Sequence, residues 1–349
     1  MTATGKALPG ISYVMPVLNE VAYVENAVRT VLAQDYDGEK EVVLALGPST
    51  DGTDELVERL VQGDQRIRTV RNPDVDIPIG LNLAIKASSN PIVVRVDAHS
   101  ELEPGYTGAA IDTLERTGAV NVGGVMLARG KTPFQAAVAR AYNSKFGLGG
   151  ARYHGGAAEG PAESAYLGVF RREVLDEVGL FDESIRRGED WELNLRIREA
   201  GHLVWFDPAL EVTYWPRENW RKLARQFFAT GVWRGELVRR YGGRNPWRFF
   251  APPLLVLAVA LSIVVAVLQL TGVLQGWPSC AASAIYLAPL AYLLIVLWVS
   301  LVQDDVPLWR HRWLFLIVLP TMHLSWGIGF IIAVLRGARQ IADTSRTGI

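Results

Sequence analysis

The first 100 residues of the chain alternate between short apolar runs and stretches in which apolar positions recur every three or four residues. The apolar runs predict β-strands, and the amphipathic stretches between them predict α-helices. The predicted strands cover residues 11–17, 41–46, 67–71 and 91–96, and the predicted helices cover residues 20–34, 53–62 and 79–88. Strands separated by amphipathic helices are typical of a parallel sheet covered on both faces, so we expect an α/β domain.

From residue 249 onward, three long apolar stretches dominate the chain, at residues 251–274, 281–302 and 313–335. None of them contains an Asp, Glu, Lys or Arg. Each is about as long as the ~20 residues that cross a bilayer as a helix. Three buried core helices of this length in succession would be unusual. We therefore expect an α-helical transmembrane region in a multi-pass protein of the cell membrane, in contact with membrane lipids.

The orientation in the membrane follows from the arginines before the first apolar stretch, among them Arg239, Arg240 and Arg244. Because Lys and Arg are enriched in cytoplasmic loops, they predict that the soluble domain faces the cytoplasm. Three crossings would then place the chain after residue 335 outside, although three further arginines follow there. Either the last apolar stretch is re-entrant or the tendency is overridden in this short tail, and the sequence leaves both open.

These patterns divide the chain into a soluble domain at residues 1–217, a basic amphipathic segment at 218–248 and the transmembrane region at 249–349. Aromatic and aliphatic residues alternate with Arg and Lys in the middle segment. This pattern favours the headgroup interface of a membrane over a helix that only packs between domains. Residues 147–165 are rich in Gly and Ala without periodicity, which favours a mobile functional loop over a plain linker.

Composition excludes several classes of function. The formal net charge is -1, so no overall basic field indicates nucleic acid as a partner. The single cysteine, Cys280, cannot form an internal disulfide, and no Cys/His spacing typical of a zinc site is present. The N-terminus lacks a basic segment followed by an apolar core, so we expect no signal peptide.

Polar side chains follow three of the predicted strands. They lie at residues 19–20, 49–51 and 97–99. Because ligands of such sheets bind beyond the carboxyl ends of the strands, we expect the three clusters to converge in one crevice. Arg95, inside the fourth strand, would be costly to bury without a partner, so we expect it to bind a carboxylate or a phosphate.

Six motifs occur in order along the chain. They are PVLNE at 16–20, STDGT at 49–53, LNLAIKAS at 81–88, VDAH at 96–99, GVFRREV at 168–174 and GEDWELNLRIREAG at 188–201. This set resembles the family 2 glycosyltransferases, which have the GT-A fold, a Rossmann-like fold that binds nucleotide sugars. The stretches VRVDAH, GGARY, GVFRREV and RQFFATG resemble the ExoA-type (succinoglycan biosynthesis-like) branch, which builds membrane-linked glycans. The resemblance covers roughly residues 10–235.

The resemblance implies a divalent metal ion, Mn²⁺ or Mg²⁺, which helps the diphosphate of the donor to leave. Asp97 is the expected ligand. His99 stands where the family commonly has a second acid, and it either binds the metal, which suits Mn²⁺ better than Mg²⁺, or hydrogen-bonds a phosphate or sugar hydroxyl. Asp190 matches the general base of the family, Glu189 is expected to orient it, and Trp191 is expected to stack on the acceptor sugar. Acids at a helix start are also favoured by the helix dipole alone.

The resemblance also assigns residues to the donor and the acceptor. The residues expected to bind the nucleotide sugar are Pro16, Asn19, Glu20, Asp51, Gly80, Asn82, Arg95 and Asp97. Leu46 stands where the family usually has an acid, which puts the identity of the nucleobase in doubt. Arg171 and Arg172 suit a phosphate of the acceptor through forked hydrogen bonds, although surface salt bridges are the plain alternative.

These expectations favour an inverting enzyme that moves a hexose from a UDP- or GDP-sugar to a hydroxyl of a polyprenyl-linked glycan. Transfer directly to polyprenyl phosphate is the alternative reaction. Leu46 and His99 motivate a non-enzyme alternative, a glycolipid-binding membrane subunit. The donor sugar, the linkage and the oligomeric state are not determined by the sequence.

Overall fold

A computed structural model describes residues 7–148, 158–302 and 309–338 of the chain, in two compact units. Unit 1 comprises residues 1–129 and 151–215, and unit 2 comprises residues 130–150 and 216–349. Residues 130–150, which the sequence-based division placed in the first domain, therefore group with the C-terminal helices. Within the predicted loop at 147–165, residues 149–157 lie outside the described residues.

Unit 1 is an α/β unit built on one mixed sheet. Its strands are β1 (Ile11–Val17), β2 (Lys40–Leu46), β3 (Ile67–Arg71), β4 (Ile92–Arg95), β5 (Ser100–Leu102), β6 (Asn121–Ala128), β7 (Gly160–Pro161), β8 (Val169–Arg171) and β9 (Val204–Tyr214). Its helices are α1 (Val24–Leu32), α2 (Thr53–Gly63), α3 (Ile77–Ala87), α4 (Tyr106–Thr117), α7 (Arg172–Val178) and α8 (Glu189–Glu199).

The strand order is β3-β2-β1-β4-β8-β6-β9-β5, and β7 pairs with β9. Strands β1 to β4 are parallel to one another, whereas β8 is antiparallel to β4. The core residues of β1 are fully buried because helices cover both faces of the sheet. Helix α1 buries Val24, Ala27, Val28 and Val31, the spacing of one helical face. All seven elements predicted in the first 100 residues are confirmed, with shifts of a few residues at their ends.

Unit 2 is helical. Its helices are α5 (Pro133–Tyr142), α6 (Lys145–Leu148), α9 (Trp220–Tyr241), α10 (Ala251–Leu270), α11 (Gly276–Ala282), α12 (Leu287–Val302) and α13 (Trp309–Arg336). Among the described residues, three helical segments are long and apolar enough to cross a membrane, at Trp247–Leu270, Gly276–Leu301 and Arg312–Arg336. Each of the three predicted apolar stretches thus overlaps one such segment.

Candidate active site

The loops after β1 and β2 are joined by hydrogen bonds. Asn19 has a left-handed backbone with φ 55°, and its side-chain oxygen accepts from the Thr50 amide at 2.8 Å. The Asn19 amide in turn donates to the Ser49 hydroxyl at 3.1 Å. Burial alone would raise the pKa of Asp51, but hydrogen bonds from Thr53 and from the Val21 amide lower it. Asp51 is therefore ionised and joins the two loops through its hydrogen bonds.

The loop after β4 joins the same crevice through His99. Its Nδ1 lies 2.9 Å from Oε1 of Glu20, in the loop after β1. Both side chains are partly exposed, 24% for His99 and 20% for Glu20. The predicted convergence of the three polar clusters is confirmed, because Asn19 and Glu20 contact both of the others.

Arg95, the last residue of β4, is the centre of a cluster of carboxylates. Its guanidinium forms ion pairs with Asp97 at 3.2 Å, with Glu189 at 3.0 Å and with Asp190. Glu189 and Asp190 are the first residues of α8, which follows Gly188 at φ 82°, a conformation that favours glycine. The expectation that Arg95 is buried with a carboxylate partner is therefore met by three partners.

The electrostatics of this cluster are unbalanced. Three ionised carboxylates around one guanidinium leave a net charge of about −2, which favours a proton on one of them. Burial raises the pKa of Asp190 to about 7, with Glu189 and Asp97 adding to the effect and Arg95 opposing it. Burial alone would lower the pKa of Arg95, but the carboxylates raise it well above its usual value. Near neutral pH, Asp190 therefore exchanges a proton while Arg95 stays charged.

Asp190 is also the most exposed carboxylate of the cluster. Its side chain is 22% exposed, compared with 17% for Asp97 and 8% for Glu189. A buried amide holds the helix turn that carries Asp190, since the side chain of Asn194 donates to the Asp190 carbonyl at 2.7 Å and accepts from Asn121 at 2.6 Å. Neither asparagine was predicted as a site residue, because an Asn on a helix or strand gives no sequence signal of its partner.

Tyr166 is a further neighbour of the cluster that the sequence analysis missed. Burial raises the pKa of Tyr166 well above its usual value, and the nearby charge of Asp97 adds to this. The next residue, Leu167, is fully buried with a left-handed φ of 46°, a strained conformation for a leucine. The only feature of the sequence that could have indicated Tyr166 is its hydroxyl group at the start of the otherwise apolar run YLGVF.

The structure does not bring the two predicted acceptor arginines to this cluster. Arg171 pairs with Ile92 at the amino end of β4, about 16 Å along the strand from Asp97 at ~3.3 Å per residue. Arg172 donates to the carbonyl of Asn90 at 2.6 Å and to the Ser88 hydroxyl at 2.7 Å. Both arginines therefore tie unit 1 together at the opposite end of the strand, and they are not part of the candidate site.

Three other predicted contacts are corrected by burial. Trp191 is 4% exposed, so its ring has no face open to a sugar. The side chain of Asn82 is engaged with the backbone of Phe181, donating at 2.9 Å and accepting at 3.0 Å. Gly80 allows α3 to approach the sheet, because a Cβ there would lie 2.7 Å from Nδ2 of Asn72 and 3.3 Å from Cβ of Pro16.

A cavity of about 740 Å³ lies beside the end of β2. Leu46, Gly47 and Pro48 line part of it, together with Val57, Val61, Val70 and Pro73 and with polar side chains of α2 and β3. These polar residues are Asp54, Glu58, Gln62, Thr69 and Arg71. Oδ1 of Asp54 is buried and has no hydrogen-bond partner among the described residues. The first turn of α2 thus places an acid, Asp54, in the same cavity as Leu46.

The described residues contain no group of three or more His, Cys, Asp or Glu side chains able to hold a metal by themselves. Asp97 faces Arg95, and His99 faces Glu20. A cation at this point would therefore depend on ligands from outside the protein. Small hard cations are often bound in this way, by one or two carboxylates together with substrate phosphates and water.

Comparison with known proteins gives the same assignment from independent data. Residues 12–179 match the profile of Glycosyl transferase family 2. The succinoglycan biosynthesis protein ExoA of Rhizobium meliloti (strain 1021) is 29% identical over 331 residues, which cover 94% of this chain and 96% of that protein. A Methanococcus voltae protein, dolichyl N-acetyl-alpha-D-glucosaminyl phosphate 3-beta-D-2,3-diacetamido-2,3-dideoxy-beta-D-glucuronosyltransferase, is 24% identical over 73% of this chain and 81% of that protein.

Among solved structures, the mannosyltransferase PcManGT from Pyrobaculum calidifontis, in complex with GDP-Man and Mn²⁺, superimposes with a TM-score of 0.61. It is 18% identical, and the match covers 95% of this chain and 88% of that one. At this identity the similarity establishes the fold, which is GT-A followed by apolar C-terminal helices.

Proposed function

We propose that this chain, whose residues 12–179 match the profile of Glycosyl transferase family 2, transfers a hexose from a nucleotide sugar to a hydroxyl of a lipid-linked glycan, with inversion. The observation that carries this proposal is the cluster of Arg95 with Asp97, Glu189 and Asp190 at the crevice. The names of the relatives support a glycan acceptor, since one acts in succinoglycan biosynthesis and one on a dolichyl-linked sugar.

In this proposal Asp190 is the general base. Its pKa of about 7 makes it a better proton acceptor than an ordinary aspartate, while enough of it is ionised at neutral pH to act. It removes the proton of the acceptor hydroxyl as the oxygen attacks the anomeric carbon. Such a base contributes about 10²–10⁴-fold to the rate. The side chain of Glu189 is only 8% exposed, so in this proposal it does not reach the anomeric carbon as a nucleophile, and a single displacement inverts the anomeric centre.

The donor end of the crevice offers partners for a nucleotide. Asp54 and Arg71 line the cavity, where a carboxylate would supply the acceptor that a ring N–H of uracil or guanine requires and a guanidinium would supply a donor for a ring carbonyl. Asn19, Glu20 and Asp51 lie on the connected loops, where the ribose of such a donor is expected. The donor is therefore a UDP- or GDP-sugar.

A divalent cation fits this site only together with the donor. Asp97 and His99 would hold it, and the diphosphate oxygens and water would complete its coordination. When bound, such an ion offsets negative charge on the departing diphosphate. Mn²⁺ accompanies GDP-Man in the solved mannosyltransferase, which makes Mn²⁺ the first ion to test.

The test uses the full chain purified in detergent, with UDP-, GDP- and TDP-sugars and with lipid-linked glycan or polyprenyl phosphate as acceptor. Each reaction is run with Mn²⁺, Mg²⁺ or EDTA. We expect metal-dependent transfer from one donor, lost in Asp190→Asn and retained in Glu199→Gln, which changes an exposed acid on the same helix. Transfer to polyprenyl phosphate alone would replace the proposed acceptor. Binding of a donor without turnover, with lipid extract present, would instead identify a non-catalytic subunit.

A further inference from the structure

The two apolar segments before α13 form an antiparallel hairpin. The Ser262 hydroxyl lies 3.4 Å from the Ile285 carbonyl, and the side-chain nitrogen of Gln269 donates to the Ser279 carbonyl at 3.1 Å. We call the end of this hairpin where α10 begins and α12 ends its base. Only 17% of each of these two segments is buried by protein, compared with 44% of the segment in α13. The third apolar helix therefore has a different environment.

The middle and the end of α13 both lie at the base of the hairpin. The ring of Trp326 is 6.4 Å from that of Phe249, and the ring of Phe330 is 5.7 Å from that of Phe250. Twelve residues after Trp326, the Ala338 amide donates to Glu236 at 3.1 Å. Two residues before Glu236, Arg234 lies 4.6 Å from the ring of the same Phe249. A helix that crosses the bilayer would separate residues 326 and 338 by about 18 Å in depth.

Helix α9 accompanies this half of α13, in the same direction. A Cβ at Gly231 would collide with the Trp326 carbonyl, and a Cβ at Gly235 would lie 2.6 Å from the Phe330 carbonyl. The backbones of the two helices are therefore in direct contact. Further along, Glu236 forms ion pairs with Arg239 at 3.2 Å and Arg240 at 2.9 Å. If this part of α13 crossed the hydrocarbon core, these charges would be carried into it, where ionised side chains are costly.

Helix α5 accompanies the first half of α13. The guanidinium of Arg140 lies 4.5 Å from the ring of Phe315 and donates to the Val299 carbonyl, near the end of α12, at 2.8 Å. The His323 ring contacts the Gly147 carbonyl at 3.2 Å, in the segment that follows α5. Charged or polar segments thus lie along α13 from Phe315 to Ala338, which leaves no stretch of it long enough to span a bilayer.

The opposite face of α13 is apolar and exposed. Trp313, Ile317, Ile328 and Leu335 lie on it, with exposed fractions of 55%, 55%, 44% and 78%. Their spacing of 4, 11 and 7 residues keeps them on one side of a helix, while Phe315, Met322, Trp326 and Ala333 are buried on the other. A helix with one face on protein and a continuous apolar face outward suits the plane of the membrane surface.

We propose that α13 is an in-plane helix whose exposed face binds the lipid surface at the base of the hairpin, so that the chain crosses the bilayer twice. The chain then leaves α13 on the same side of the membrane as α9. This arrangement removes the conflict in the sequence, because Arg336 at the end of α13 then lies on the same side of the membrane as Arg239, Arg240 and Arg244.

The native cysteine provides the first test. Cys280 is exposed in α11, near the turn of the hairpin, and it is the single cysteine of the chain. A membrane-impermeant maleimide is applied to intact cells and to inverted vesicles, with permeabilised membranes as the reference for full labelling. In a Cys280→Ser background, Gly243→Cys reports the side of α9 and Ser345→Cys reports the side after α13. We expect Ser345→Cys to label with Gly243→Cys and on the opposite side from Cys280. Labelling of Ser345→Cys on the Cys280 side would establish a third crossing and overturn the proposal.

A charge substitution gives a second readout that does not depend on labelling. Ile263→Lys places a charge on an exposed position in the middle of α10, and Ile328→Lys does so on the exposed face of α13. We expect Ile263→Lys to reduce the amount of carbonate-resistant membrane protein at least tenfold and Ile328→Lys to change it less than twofold. Equal losses for both variants would show that α13 lies as deep in the bilayer as α10.

Discussion

The carboxylate cluster predicts that removing one acid makes the enzyme more active at low pH. Glu189 and Asp190 both contact the same nitrogen of Arg95, so their oxygens are at most about 6 Å apart, two hydrogen-bond lengths. At about 5 Å and an effective dielectric constant of about 20, the repulsion between two carboxylates is roughly 3 kcal/mol. Because Asp190 is 22% exposed, solvent screens part of this repulsion, and about half of the energy remains. Glu189→Gln should therefore lower the pKa of Asp190 by about one unit.

The assay is kcat/KM for transfer between pH 5 and pH 9. A base must be unprotonated to act, so the wild-type rate rises with pH through about 7 and then reaches a plateau. In Glu189→Gln the rising limb should move to about pH 6, and the activity at pH 6 relative to its own plateau should rise about fivefold. Glu199→Gln, at the exposed end of the same helix, should leave the limb in place. A limb that stays near pH 7 or moves upward in Glu189→Gln would refute the coupling between the two acids.

Three further predictions concern other parts of the site. Arg95→Met should lower the free energy of unfolding by about 3–5 kcal/mol at pH 8, because it leaves buried carboxylates without a counter-ion. The loss should be smaller at pH 5, where Asp190, with a pKa of about 7, is protonated; equal shifts in Tm at both pH values would contradict this. Asp54→Asn should raise KM for the donor at least fivefold with kcat little changed, whereas an unchanged KM would remove the nucleobase from the cavity. Arg172→Met should lower Tm, because it loses the hydrogen bonds to Asn90 and Ser88, and should leave KM for the acceptor unchanged. A raised KM for the acceptor in the folded variant would support the acceptor-binding role predicted from the sequence.

The sequence determined the frame of the protein because local patterns fix it. Alternating apolar runs and amphipathic stretches predicted seven elements of the sheet domain. The convergence of Asn19, Asp51 and His99 followed without knowledge of any contact, since parallel strands end at one edge of a sheet. The need for a partner for Arg95 was also predictable, because an unpaired charge in a buried strand is too costly. Length and hydropathy identified the apolar helices.

The tertiary structure decided which residues meet and which way each element faces. Asp190 reaches Arg95 across 95 residues of chain, and Arg171 and Arg172 lie at the far end of β4 because β8 runs antiparallel to it. Trp191, beside Glu189 and Asp190 in sequence, points into the interior because successive helix positions face different sides. The same limit applies to α13. A helix that crosses a bilayer and one that lies in its surface can have equal length and hydropathy, and only the charged helices packed along it distinguish the two.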